Sequence, residues 1–413
     1  MASSRLGYLA IKIESTVATA VKPSHFLAYN DGDLGRKQEV IESGPIQNNR
    51  ALPITPVKGK KTIEAKFKFD LDANECVYWL YGALGSLSSS DISSGTDGSV
   101  YEHTITVANS LPSWSVEQAK GNISDTTNNR QNYEVARAFG LLVDSLTVSS
   151  NDGIVQMEVN CKAHGIFEKA DLVADASAGS SVAISVDTVE GLVATSDTVN
   201  TYDNLPQNES DAIASISTAN KTITIATLGN SYTVARNAKI ELTPQTPSYG
   251  TRRLFSFAHM DVQFGTDLTA AASASETGIE NIEFSFMNNL EERFGSKRQT
   301  PTTVAPKGYK ATLKFTRYFE SIDERDKFLR LTKTAAILTL VNDTVISATD
   351  TNNKKYTVKI QISDLRLTME EMPTENDGLY VVNVEGTCFY DTSDGRAVRI
   401  IVDNSSAGTT YTA

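Results

Sequence analysis

The chain has little of what usually announces a catalytic, secreted or membrane protein. Cysteine is scarce: Cys76, Cys161 and Cys388 are an odd number, far apart, each inside an apolar stretch. That usage argues against a disulfide framework or a cysteine metal site and predicts buried thiols in a reducing compartment. Histidine is nearly as rare, and His25, His103, His164 and His259 have no ligand spacing. They are expected to be strand or loop residues, not metal ligands or bases. No apolar run approaches the roughly 20 residues a membrane-spanning helix needs. The opening Met1–Ile13 also lacks the continuous apolar stretch of a signal peptide. An excess of basic residues is missing too: 38 Lys and Arg stand against 50 Asp and Glu, a net charge of −12. Binding nucleic acid by neutralising phosphates needs a basic face, so this class is disfavoured, although nucleic acid could still pass close by without sticking. Phosphate loops, dinucleotide fingerprints, nucleophile elbows and His-Glu-x-x-His are all absent. Asp70, Asp72 and Asn74 open like a calcium loop, but Glu75 stands where the turn glycine belongs and Tyr81 where the bidentate glutamate belongs. A helix cap is the better reading. Paired acids such as Glu370 and Glu371 read as solvated turn residues. No active site is visible, no cofactor or metal is expected, and the chain is read as not an enzyme.

What is present is a mainly β protein. At 413 residues, 40% hydrophobic and 21% charged, the chain has the balance of an ordinary globular protein of two or three domains. Val, Ile, Thr, Phe and Tyr fill the apolar segments, while Ser, Asn, Asp and Gly fill the gaps between them. One stretch organises the rest. In Thr62–Phe69 the residues Ile63, Ala65, Phe67 and Phe69 alternate with Thr62, Glu64, Lys66 and Lys68, the period of a half-buried strand. Asp70–Asn74 then stop the strand, and Cys76, Val77, Trp79, Leu80 and Leu84 give a short apolar helix closed by Gly85.

That unit returns. From Lys307 the chain again runs Lys-Gly, an apolar strand, an acidic cap and a short helix, here with Ser321 and Glu324 as a capping box and Ile322, Phe328 and Leu329 as the apolar side. Asn151–Asn160 also aligns without a gap on Asn376–Glu385, each around an Asp-Gly turn signal. The offset falls from 249 residues (59 to 308) to 225 (153 to 378), so the second copy is about 24 residues shorter between helix and hairpin. The loss is expected in the loop 87–100 and the Asn-rich segment 122–132. We read two copies of one domain, at 1–172 and 251–413, with a mobile tail after Asn404. Between them, 173–250 loses its aromatics and offers short strands near Val182, Ala212, Thr222 and Ile240: a small β module, expected outside and contributing little to assembly.

Several stretches resemble bacteriophage tail tube proteins. They are the opening Leu9–Ser15 strand, the long polar loop through Asn30–Gly35 to Pro45–Arg50, the strand feeding a helix that ends Leu80–Gly85, and the later Leu254–Phe264, Ile282–Asn289 and Pro306–Phe319. The resemblance implies β-sandwich or barrel units, each with one short helix, six to a ring, the rings stacking into a hollow virion tube that delivers DNA. Because this chain carries two units, a trimeric ring with pseudo-sixfold symmetry is expected. Partners would be itself, other tail proteins at the tube ends, and genomic DNA passing without specific binding; assembly would occur in the host cytoplasm. The rival readings are a β-rich surface or adhesion module, a β-sandwich hydrolase with dispersed acids and, within a tail, a distal-tail adaptor.

A channel for DNA needs a wall that is acidic or charge-balanced, since a basic wall would grip the phosphates. The polar faces of the half-buried strands supply the candidates: Lys12 and Glu14; Glu64, Lys66 and Lys68; Gln156 and Glu158; and, in the second copy, Asp261, Lys314, Asn383 and Glu385.

Overall fold

The computed structural model describes the chain except residues 1–5, 43–55, 95–98, 124–132, 152, 206–207, 276–277, 319–322, 372–380 and 413. The turn residues Asp152, Asp377 and Gly378, the capping residue Ser321 and the stretch Pro45–Arg50 lie outside the described residues.

The first unit runs β1 (Tyr8–Ile13), β2 (His25–Leu27), β3 (Asp31–Glu42), β4 (Pro56–Asp70), α1 (Cys76–Leu84), β5 (Gly85–Asp91), β6 (Tyr101–Val107), β7 (Trp114–Gly121), β8 (Tyr133–Asn151), β9 (Gln156–Lys162) and β10 (Gly165–Phe167). The middle contributes β11 (Lys169–Asp171), β12 (Gly179–Ser185), β13 (Thr198–Tyr202), β14 (Asn208–Ser217), β15 (Thr222–Leu228) and β16 (Lys239–Leu242). Then come β17 (Met260–Gly265), α2 (Leu268–Ala272), β18 (Asn281–Met287), β19 (Glu291–Arg293), β20 (Thr303–Ala305), β21 (Lys310–Tyr318), α3 (Asp323–Arg330), β22 (Thr334–Val345), β23 (Lys355–Glu371), β24 (Val381–Phe389), β25 (Val398–Asn404) and α4 (Thr409–Thr412).

The ladders repeat. In the first unit the pairing runs β1–β7–β8–β9–β4–β3, all antiparallel. In the second it runs β17–β22–β23–β24–β21–β18. The long strands β8 and β23 hold matching places, and each carries a register shift, between Val143 and Ser145 and between Leu367 and Met369. A bulge bends its strand, so each long strand can serve two layers: its first half pairs with β7 or β22, its second with β9 or β24.

Two ladders join the units into one sheet. β18 adds to the second half of β8, and β6, at the end of the β5–β6 hairpin, adds to β25. One apolar core therefore spans both units, holding Phe67, Trp79 and Leu146 together with Phe284, Phe315 and Ile400. The helix α1 is buried along almost its whole length inside this core. Its start is held by Asp72, whose carboxylate accepts from the Asn74 and Glu75 amides, and Gly85 closes it with φ 96°. The cap reading of Asp70–Asn74 therefore matches what this stretch does.

Three expectations change. The polar loop after Asn30 is a strand, β3, because β4 supplies its hydrogen-bond partners from Asp31 to Glu42. The helix α3 turns Leu329 to solvent at 67% exposure, while Phe328 packs on the core; Ile322 lies outside the described residues. The residues after Asn404 are not a mobile tail. Tyr411 is buried, stacks edge-on against Tyr78 at 4.8 Å and donates to the Asn74 carbonyl, while Asn404 donates to the Ala73 carbonyl. The end of the chain thus clamps the start of α1.

The middle segment forms a six-stranded sheet in the order β11-β16-β13-β14-β15-β12. Sequence patterning anticipated four of its strands and missed β11 and β13. Its core is shared with the first unit. Ile184, Val199, Ile213 and Ile240 pack with Tyr8, Ala10, Val135 and Phe167. On β1, Leu9 and Ile11 face the large core while Tyr8 and Ala10 face the module. The module is therefore docked as a further layer on the sheet β2–β1–β7–β8.

Candidate functional site

The second halves of β8 and β23 organise the site. Together with their neighbours they give a continuous eight-stranded sheet, β3-β4-β9-β8-β18-β21-β24-β23, that crosses both units. Its two faces differ sharply because nearly every strand alternates. Ile63, Ala65, Phe67 and Phe69 on β4, Met157 and Val159 on β9, Leu146 and Val148 on β8, Ile282 and Phe284 on β18, and Val382 and Val384 on β24 are buried. The residues between them form one solvent-facing polar surface.

Eight of the eleven candidate residues meet on this surface: Glu64, Lys66, Lys68, Gln156, Glu158, Lys314, Asn383 and Glu385. Register brings unlike charges side by side. Lys66 faces Asn160 across the ladder and pairs with Glu158 at 2.7 Å, while Lys37 of β3 pairs with Glu64 at 2.6 Å. In the second unit Lys314 lies 3.4 Å from Glu283 and 3.9 Å from Glu385. Among the charged candidates the surface holds, three lysines stand against three glutamates. The middle of the sheet carries little charge: Ser145, Thr147 and Ser149 of β8 lie opposite Met287, Ser285 and Glu283 of β18, and Glu283 is the one ionised group among these six. Thr147 Oγ1 and Ser285 Oγ meet at 3.0 Å across the boundary between units.

The other three candidates lie elsewhere. Glu14 is only 7% exposed and accepts from Ser113 Oγ, Ser115 Oγ and the Gly140 amide at 2.8 Å and from the Ala18 amide at 3.0 Å. Burial pushes its carboxyl above the usual range despite those four donors. It organises a turn inside the first unit and is withdrawn as a surface candidate. Lys12 sits on β1, between β2 and β7, and Asp261 on β17, next to β22. Both belong to the second layer. Alternation alone could not separate them, because every half-buried strand has a polar face whichever layer it joins. Sequence reading missed β3 with Asp33 and Lys37, and Glu283 with Ser285; the alternation of Asn281–Met287 was the available signal for the latter pair.

None of the described residues form a group of three or more His, Cys, Asp or Glu able to hold a metal. The three cysteines are buried free thiols. His103 bridges Ser89 Oγ at 2.7 Å and Asn404 Oδ1 at 2.9 Å, a structural role. A groove between the units is lined by His25, Asp72, Glu75, Tyr78, Arg253 and Tyr411. There burial, and then the neighbouring Asp72, push Glu75 up to about 7. A raised carboxyl pKa favours the folded state while protonated, and that contribution is lost as pH rises through the folded value. Glu75→Gln should therefore gain on the parent chain from about pH 4.5 to about pH 7 and run parallel above it. Denaturant midpoints across pH 5–8 check this, and a constant difference would show that Glu75 titrates normally.

The sheet has a charge-paired wet face and a buried opposite face, and among the described residues the outer edges of β3 and of Arg366–Glu371 in β23 make no further ladder, the kind of edge to which another strand can add. A family model of the phage tail tube protein matches residues 4–387, and the chain belongs to that family. It is a structural virion family, which places the protein in the phage tail. A search of curated proteins found no match. Among solved structures, the SPP1 tail tube, determined by solid-state NMR and cryo-EM, aligns over 38% of this chain and 82% of that one. The identity is 12% and the TM-score 0.25.

Proposed function

We propose that three chains close into a ring with pseudo-sixfold symmetry, two tube units per chain spanning 1–172 and 251–413, and that rings stack into the conduit for DNA. The ring would assemble in the host cytoplasm. The carrying observation is the β8–β18 ladder, which makes the polar face continuous from one unit to the next. Six such units, joined edge to edge, form a closed barrel with the polar face inward and no free edge. The module at 173–250 lies beyond the second layer, on the far side of the core from that face, and so belongs outside the ring.

The pairing of Lys66 with Glu158 and of Lys314 with Glu283 gives the lumen its function. It remains hydrated and close to neutral, so a duplex slides through without exchanging its counterions for fixed lysines. Cryo-EM of assembled tubes, with native mass spectrometry of released rings, should give three chains per ring and Glu64, Lys66, Glu158, Lys314 and Glu385 on the inner wall. Six chains per ring, or these residues between rings, would overturn the reading.

A further inference from the structure

We infer that the contact between neighbouring chains repeats the junction inside the chain, in the same register: β3 of one copy, from Arg36 to Val40, adds to the Arg366–Glu371 edge of β23 in a second copy. The inference rests on the tube reading above and names its seam. Among the described residues both edges are open, since β3 pairs only with β4 and this part of β23 only with β24.

The register follows from matching positions. Phe67 and Phe315 face Val159 and Val384, and on their other side they face Gly32 and Ile282. So β18 is the counterpart of β3, with Met287 at the place of Lys37. On the other partner, Thr147 faces Glu158 and Glu371 faces Asn383, both shortly beyond the matching bulges. So Ser145 corresponds to Met369. Inside the chain Ser285 lies opposite Thr147, Phe286 opposite Leu146 and Met287 opposite Ser145. Between chains Gly35 then falls opposite Glu371, Arg36 opposite Glu370 and Lys37 opposite Met369. The register thus sets a basic stretch of one edge, Arg36 and Lys37 (which within the chain pair with Glu168 and Glu64), alongside the end of the other that is acidic in sequence, which favours this partner and register.

Apolar exposure agrees. Just past β18, Leu290 is 5% exposed and packs with Val304 on Leu142 of the first unit. Its counterpart at the end of β3, Val40, is 57% exposed, and Ile41 and Val57 beside it are also bare. On the receiving unit Leu331, Phe389 and Tyr390 stand exposed, with the Arg366 guanidinium laid over the Phe389 ring. Each chain thus offers an uncovered apolar arm and an uncovered apolar patch at the two ends of one sheet, the arrangement a head-to-tail ring requires.

The seam is shorter than the internal junction. Gln118 already holds the Leu34 amide and the Gly32 carbonyl, so strand addition starts at Arg36. The β5–β6 hairpin that reaches β25 has no counterpart in the second unit, where only residues 331–333 separate α3 from β22.

A disulfide tests the register. The Thr147–Ser285 side-chain contact marks the close, non-hydrogen-bonded pairs of the internal ladder, and Met287–Ser145 is the next of these. Lys37→Cys with Met369→Cys should therefore cross-link neighbouring chains in oxidised tubes, giving a covalent ladder that stops at three chains and disappears on reduction. Lys37→Cys with Glu371→Cys, one diagonal away at roughly 7–8 Å, should not cross-link. Independently, Val40→Asp should raise the concentration needed for assembly at least tenfold with the monomer's melting temperature unchanged. Parent tubes that form normally while the first pair stays uncross-linked, or while Val40→Asp assembles like the parent, would overturn the seam and leave the tube reading standing. Failure of the parent chain to form tubes at all would overturn both.

Discussion

Arg137→Ala is expected to cost the protomer about 3–5 kcal/mol, the usual penalty for breaking a buried ion pair by removing one partner. Arg137 is fully buried where the module meets the first unit. It donates to Glu117 Oε2 from Nε at 2.9 Å and to Asp197 Oδ2 at 2.6 Å and Oδ1 at 2.8 Å. Glu117 also accepts from Tyr8 Oη at 2.5 Å and Gln245 Nε2 at 2.8 Å. Alanine at 137 would leave two carboxylates facing each other out of water, with Tyr8 and Gln245 answering only one of them. Placing apolar residues of similar size at 117, 137 and 197 together should recover most of the loss, because no charge is then stranded. Thermal unfolding of the single and triple variants decides it. A shift of only a degree or two for Arg137→Ala would mean that the module is held by its apolar contacts alone. The same network predicts that replacing 178–245 by a Gly/Ser linker is harsher than trimming a surface excursion. It would uncover Tyr8, Ala10 and Phe167 and take Asp197 away from the Arg137–Glu117 pair.

The second large effect is expected in the lumen. Glu158→Lys together with Glu385→Lys changes each chain by about +4 and leaves Lys66 and Lys314 without these partners. Both sites are partly exposed, where ion pairs contribute only about 0–1 kcal/mol, so tubes should still assemble. Their interaction with duplex DNA should change in kind. A site with several phosphate contacts loses about 10³–10⁵ in affinity between 50 and 200 mM salt, and the altered tubes should show that steep dependence. Parent tubes should release DNA at both salt concentrations. Phage carrying the two substitutions should eject slowly or stall at low salt. Steep salt-dependent binding by the parent tube, or no change on charge reversal, would remove charge balance as the reason the channel does not grip its cargo.

The alternation of Thr62–Phe69 and the scarcity of helical periodicity were sufficient to give the β class. These are local properties, and a strand with period 2 carries its burial pattern with it. For the same reason Glu64, Lys66, Gln156, Glu158, Lys314 and Glu385 were recognisable as polar-face residues before their neighbours were known. Of the two places expected to be shorter in the second unit, 87–100 falls in the β5–β6 hairpin, where only residues 331–333 stand between α3 and β22, whereas 122–132 and the segment 346–354 between β22 and β23 are of similar length.

Which polar faces belong together was decided only by tertiary pairing. Lys12, Asp261 and Lys66 look alike along the chain, yet the ladders assign the first two to one layer and the third to another. Glu14 reads as surface until Ser113, Ser115 and the Gly140 amide converge on it from distant strands. The glycines and acids of β3 signal a loop, and only the long ladder with β4 overrides that preference. The chain's end, too polar to predict order, is held because Tyr411 finds a buried place beside Tyr78 and Asn74. Local periodicity thus determined which residues of a strand share a face; long-range backbone pairing decided which face they joined, because only it brings distant strands edge to edge.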